Sequence, residues 1–262
     1  MGALAVDILI IFKRDSYSGL EFLMRWAHVL AGITWIGLLY YFNFVQVPSF
    51  AELDAGARNQ AVDKLASRAL WWFRWAAAAT LAFGILILAV QKKYGTDGGS
   101  QLTSSDYWKT SSGVAIATGI LLAVTMFANV WLVIWPNQKK VIANARNVLA
   151  GGEADPDAAA AGRRAGLASR QNTIFSFTML FFMIGTAHFF GGGAFDVASS
   201  GNRILYYVIT LVVWLALELN CLGVIGGTGP QGTNWIYEDH KRAIGTGMVL
   251  VVFWYLLWII IF

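Results

Sequence analysis

The chain has 262 residues, of which 57% are hydrophobic and 13% charged, with a formal charge of +4 at pH 7. Charged residues make up about a quarter of an ordinary soluble domain, so this composition argues against a soluble globular fold, a disordered chain and a nucleic-acid binder. The single cysteine, Cys221, excludes an internal disulfide and the two-cysteine C-x-x-C-H attachment of a c-type haem.

The N-terminal run MGALAVDILIIF is followed, not preceded, by Lys13 and Arg14. That charge order is the reverse of a cleavable signal peptide. The run is also too short to span a bilayer, so residues 1–15 are expected to lie at the membrane interface. Six stretches then read as spans of about 20 mostly apolar residues, at roughly 20–45, 70–91, 111–135, 172–190, 203–225 and 243–262. The connection 46–69 opens with Pro48 and reads as an amphipathic helix. The connection 136–171 is longer and polar and is broken at Gly151-Gly152. Asp155-Pro156 is a capping and first-turn signal for a helix running into the fourth span. The glycine-rich 223–232 follows no strand and reads as a turn, not a phosphate loop. The fold class expected is all-α, an integral membrane bundle of about six helices. Residues 1–262 form one membrane domain, with surface helices in the two longer connections.

Connections 46–69, 136–171 and 226–242, with the base of span two, carry 12 Lys and Arg; the opposite side carries six. By the positive-inside rule both termini face the periplasm of a bacterial inner membrane.

Only three histidines exist, and two fall inside spans. His28 lies in the outer half of span one, and His188 near the outer end of span four, which runs the opposite way. The two imidazoles are therefore expected near one depth, within about 8 Å at 1.5 Å per residue. Each has a glycine one turn away on its own helix face, Gly32 at i+4 and Gly185 at i−3, leaving a flat recess beside the ring. Arg25, at i−3 from His28, is placed to meet a haem propionate, and Trp35 continues the stripe inward. Phe177 and Phe181 line the stripe of His188. Ionisable groups inside a membrane are costly and mark function by default. The pattern points to haem b with His28 and His188 as metal ligands and Arg25, Gly32, Trp35 and Gly185 around it. The competing reading is a pair of histidines that only hydrogen-bond between helices. Glu218 and Asn220, in the inner half of span five, read equally as a proton relay or quinone contact and as a helix-packing pair. Asn129 reads as a packing contact. Arg74, near the inner interface, reads as a snorkelling side chain, and His240 as solvated.

Arg25-Trp26, His28, Gly32, Trp35-Ile36-Gly37 and Tyr41-Phe42 resemble the first span of the membrane domain of bacterial membrane-bound urate hydroxylases. Three further blocks continue the resemblance. They are Trp72-Phe73-Arg74-Trp75; Asn129-Val130-Trp131 with Ile134, Pro136 and Gln138; and Asn172-Thr173 through His188-Phe189. The resemblance covers about residues 20–190. It implies a membrane oxidoreductase that oxidises urate and passes electrons to a periplasmic cytochrome c domain, fused at the C-terminus in full-length members. Here the chain ends at Phe262 directly after span six, so a separate c-type cytochrome is expected. Two positions depart from the family pattern: Ala76 stands where an acidic residue is expected, and Thr186-Ala187-His188 replaces Ser-Asn-His. Both departures put the substrate chemistry, more than the haem scaffold, in question. A shorter likeness, H-x3-G-x2-W-x-G in span one, is shared with membrane protoporphyrinogen oxidases and copper-resistance membrane proteins.

The resulting expectation is a membrane-bound b-type haem protein of oxidoreduction. A haem held by two histidines has no open coordination position and would carry electrons. The alternative is a haem-binding or purely structural accessory subunit of a larger respiratory or photosynthetic complex, its partners being other membrane subunits.

Overall fold

The computed structural model of the chain describes residues 16–91, 100–190 and 199–262. The interfacial segment expected over 1–15 lies outside the described residues. Among those residues the secondary structure is helical throughout. Nine α-helices follow in order: α1 (Ser16–Tyr40), α2 (Val47–Glu52), α3 (Ala55–Ala61), α4 (Ser67–Val90), α5 (Ser111–Ala128), α6 (Trp135–Leu149), α7 (Ala158–His188), α8 (Ser200–Cys221) and α9 (His240–Ile261). Three π-helical turns, Tyr41–Gln46, Val62–Ala66 and Asn129–Ile134, continue the helices on either side of them without a break. Short 3₁₀ turns at Tyr107–Lys109 and Gly232–Tyr237 lead into α5 and α9.

Among the described residues five helical runs are long and apolar enough to cross a membrane: Gly19–Glu52, Ala55–Val90, Ser111–Leu149, Ser200–Cys221 and His240–Ile261. Their outward faces are apolar, with Ile33 65%, Leu132 74%, Val249 67% and Ile260 80% exposed. Such a surface is stable against lipid and not against water. The sixth expected span, 172–190, falls in α7 and does not meet the same measure of length and apolarity. The reason is its position. α7 packs against α5, α6 and α9 and touches α1 and α8, and Gln171, Asn172, Thr173, Ser176 and Thr178 are all fully buried there. A helix enclosed by protein can offer partners to polar side chains that lipid cannot: Gln171 Oε1 accepts from the Tyr237 hydroxyl, and Asn172, Thr173 and Ser176 donate to backbone carbonyls, while Thr178 Oγ1 has no partner among the described residues.

Two close contacts fix the centre of the bundle. A Cβ at Gly247 of α9 would stand 2.5 Å from the Phe177 ring and 3.1 Å from the Ile174 carbonyl of α7. One at Gly119 of α5 would meet Phe182 and Met183 at 3.4 Å. Without side chains at these points the helix backbones approach closely, the usual basis of helix association in lipid. An aromatic cluster closes one end, where Phe190 and Trp258 rings lie 4.4 Å apart and Tyr206 packs on Trp258.

The connections follow the sequence signals with small shifts. Pro48 occupies the first turn of α2, and Asp54 caps α3 by accepting from the Ala57 amide at 2.9 Å. After α6 the chain turns at Gly151, in the left-handed region at φ 85°. α7 begins at Ala158, two residues beyond Asp155-Pro156, with the Asp155 carboxylate accepting from the Asp157 amide at 2.9 Å. The segment after α8 is a turn, as its glycines indicate. Gly226 has φ 76°, and a Cβ there would stand 2.6 Å from the Thr233 hydroxyl.

Candidate functional site

His28 lies on the face of α1 that packs on α4. Its Nδ1 is 2.8 Å from the carbonyl oxygen of Thr80. A carbonyl only accepts, so Nδ1 carries the proton and donates, leaving Nε2 with a free lone pair. The imidazole sits against Gly84, where a Cβ would stand 3.2 Å from Cε1 and 3.4 Å from Nδ1. Thr80 turns its own hydroxyl onto the Ala76 carbonyl at 2.7 Å, so the hydroxyl does not compete for the histidine. Gly32 also faces Thr80, whose methyl would be 3.9 Å from an added Cβ. The two glycines, Gly32 of α1 and Gly84 of α4, thus make the close seam in which the histidine is held.

α1 and α7 are antiparallel where they meet: Tyr40 Oη is 2.9 Å from Ser176 Oγ, and Asn43 Nδ2 donates to Ser169 Oγ at 2.8 Å. His28 lies twelve residues before Tyr40, and His188 twelve after Ser176. At 1.5 Å per residue both lie about 18 Å outward from the Tyr40–Ser176 contact, whereas from Asn43–Ser169 His28 lies 15 and His188 19 residues outward, a difference of about 6 Å. The register thus leaves the two histidines at the same end of the bundle, within about 6 Å of one height.

The remaining predicted residues are placed less favourably. His188, the last residue of α7, is exposed. The recess at Gly185 is filled: the buried Phe190 ring would lie 2.6 Å from a Cβ at that position. Arg25 is exposed and paired with Glu21 at 2.7 Å. Trp35 is buried, and its indole Nε1–H has no acceptor among the described residues. Phe177 stacks on Tyr40, and Phe181 packs edge-on against Phe182 and Tyr255, so both belong to the core. Among the described residues no three His, Cys, Asp or Glu side chains come together as a metal site.

A second polar group lies in the inner half of the bundle. Asn129 Nδ2 is shared between Asn172 Oδ1 at 3.1 Å and Glu218 Oε2 at 3.3 Å, while Asn172 donates to the Met126 carbonyl at 2.9 Å. All three side chains are buried. Glu218 therefore ties α8 to the end of α5 and to α7. Asn220 exchanges hydrogen bonds with Thr233 and anchors the turn before α9. Arg74 is buried, with its guanidinium carbon 3.3 Å above the Trp135 ring. It is a stacked cation–π partner and not a free snorkelling charge. His240 opens α9 half-buried, 3.7 Å from the Asp239 carboxylate.

Thr80 and Gly84 had no signal in the sequence, because a backbone carbonyl and a missing side chain carry no chemistry of their own. Arg170, counted there as a loop charge, is buried inside α7. Residues 105–216 match the family model described as urate oxidase N-terminal. The matched stretch contains the third and fourth blocks of the resemblance, and the resemblance is borne out there. No curated protein and no solved structure matches the chain.

Proposed function

From the family match over residues 105–216, we propose that the chain is a membrane-bound b-type haem protein of oxidoreduction, similar to the membrane domain of urate hydroxylases. Its electrons pass to a separate c-type cytochrome. The observation that carries the reading is the His28–Thr80 hydrogen bond. Histidines that ligate metals almost always donate their second nitrogen to a carbonyl or carboxylate, which fixes the tautomer and raises the basicity of the ligating nitrogen. His28 has that arrangement within a membrane span, where a histidine without a purpose is costly.

On this reading Nε2 of His28 and the imidazole of His188, at the same end of the bundle on α7, would be the groups that hold the iron. A bound haem supplies one-electron chemistry. The protein's own part is to hold the ring. Thr80 fixes its tautomer, Gly84 gives it room, and the α1–α4 seam sets its height. Arg25 offers a guanidinium at the outer end of the same face, exchanging Glu21 for a propionate. Trp35 offers a buried, unsatisfied donor two turns inward on that face. The outward face of the haem end and both termini are assigned to the periplasm of a bacterial inner membrane. The alternative, an accessory subunit of a larger complex, draws on the packing at Gly185: the Phe190 ring fills the space a porphyrin edge would need.

Visible spectra of the purified protein, oxidised and dithionite-reduced, test the haem assignment. The proposal predicts a sharp reduced α-band of the b type in wild type, abolished in His28→Ala and shifted in His188→Ala. A wild-type protein prepared with haem in excess that shows no Soret band overturns it.

A further inference from the structure

A cleft of about 320 Å³ opens at the opposite end of the bundle from the two histidines. Its floor is apolar, built from Phe42, Leu70, Phe73 and Ile134, all buried. Its wall is polar, and Arg170 dominates it. This arginine is only 8% exposed, yet it forms no ion pair among the described residues. Its Nε donates to Asn43 Oδ1 at 2.9 Å and its Nη1 to the Tyr237 carbonyl at 3.2 Å, both neutral acceptors. The neighbouring acid, Glu238, is taken by Arg163 at 2.5 and 3.1 Å. Glu238 and Asp239 act on Arg170 only at longer range. A buried cation without a counter-charge is expensive. In the same lining Gln46 Oε1 is a buried acceptor with no donor among the described residues. The cleft is thus lined by two guanidinium groups, Arg163 and Arg170, against the single carboxylate of Glu238, and by one buried acceptor without a donor among the described residues.

Its level in the membrane narrows the ligand further. Leu70 and Phe73 alternate with Trp71, Trp72 and Trp75, which are 48%, 60% and 51% exposed. Exposed tryptophans gather at the headgroup level of a bilayer. Two of the three π-helical turns, Tyr41–Gln46 and Asn129–Ile134, contribute lining residues, and such turns recur at functional sites.

We propose that this cleft binds a phosphodiester carrying a hydroxyl donor, the chemistry of an anionic phospholipid headgroup such as phosphatidylglycerol. The phosphate pairs with Arg170, the headgroup hydroxyl donates to Gln46, and the apolar floor takes the first acyl carbons. Basic pockets between membrane helices bind anionic headgroups in this way. The site is independent of the haem reading.

The test is thermal unfolding and native mass spectrometry of the protein in detergent, titrated with phosphatidylglycerol, phosphatidylcholine or inorganic phosphate. Wild type is expected to unfold at higher temperature with phosphatidylglycerol than with phosphatidylcholine and to retain the anionic lipid as an adduct. Arg170→Gln should lose that preference. Gly166→Leu provides the second variant: Gly166 lines the cleft, an added Cβ there meets open space, and leucine favours the helix. It fills the cleft without altering its charge and should lose the preference while remaining folded. Arg58→Gln, an exposed cation outside the cleft, should keep it. Equal shifts with the two lipids, or a preference that survives Gly166→Leu, overturns the proposal. A shift reproduced by inorganic phosphate alone overturns the lipid source.

Discussion

At the scale of single residues, His28 is defined by what surrounds it and not by its own identity. The sequence marks it as an ionisable group in a span, and the glycine at i+4 as a small neighbour. The partner that matters is a carbonyl on α4, 52 residues away, which no side-chain pattern could announce. Gly84, in contact with the imidazole at the distance of an ordinary Cβ or closer, gives a direct handle. Gly84→Leu should push the ring off Thr80 and weaken its hydrogen bond. With a less basic ligand the ferric state is stabilised less, so the haem midpoint potential should rise in a redox titration. An unchanged potential would mean that the Thr80 bond does not tune the iron. The inner polar group makes a second residue-scale prediction. Asn129→Ala leaves Asn172 Oδ1 and Glu218 Oε2 without their shared donor in a buried setting. The expected loss is about 1–3 kcal/mol, read from unfolding in detergent, whereas Glu218→Gln, which keeps an acceptor, should cost less.

At the scale of elements, the spans that face lipid were legible because lipid selects composition: long apolar runs have no other stable place. α7 was legible as a helix but not as the enclosed centre of the bundle. Its buried Gln171, Asn172 and Ser176 lower its apolarity because protein, not lipid, surrounds them. The π-helical turns were not legible at all. Two of them precede a proline by two residues, Pro48 and Pro136, whose missing N–H interrupts the helical ladder, a signal that gives no indication of a π turn by itself; these two turns carry Asn43 and Asn129, which bond to α7. The α7–α9 seam depends on Gly247, where a Cβ would overlap the Phe177 ring. Gly247→Leu should part the two helices and cost at least the 1–3 kcal/mol typical of overpacking, on the order of the values for soluble cores. A melting temperature equal to wild type would show that the seam is not tight.

At the scale of the whole molecule, α1 and α4 form one closely packed pair, and α5, α7 and α9 another body around the central helix, with Tyr40–Ser176 and Asn43–Ser169 joining them. In the proposed orientation, which rests on the excess of Lys and Arg at the cleft end, that end faces the cytoplasm. A protease site appended after Phe262 should therefore be cut from outside in spheroplasts and protected in inverted vesicles; the opposite pattern reverses the orientation. The resemblance to urate hydroxylases and the match over 105–216 describe this frame. The haem that would give it a reaction rests on two imidazoles at the same end of the bundle, of which that of His28 donates to the Thr80 carbonyl. The decisive measurement is the haem content of the purified chain by pyridine haemochrome. The account predicts a single haem b per chain in wild type and its loss in His28→Ala at unchanged helix content. A wild-type protein that stays free of haem after expression with excess haem, or a His28→Ala variant that retains it in full, would contradict the account.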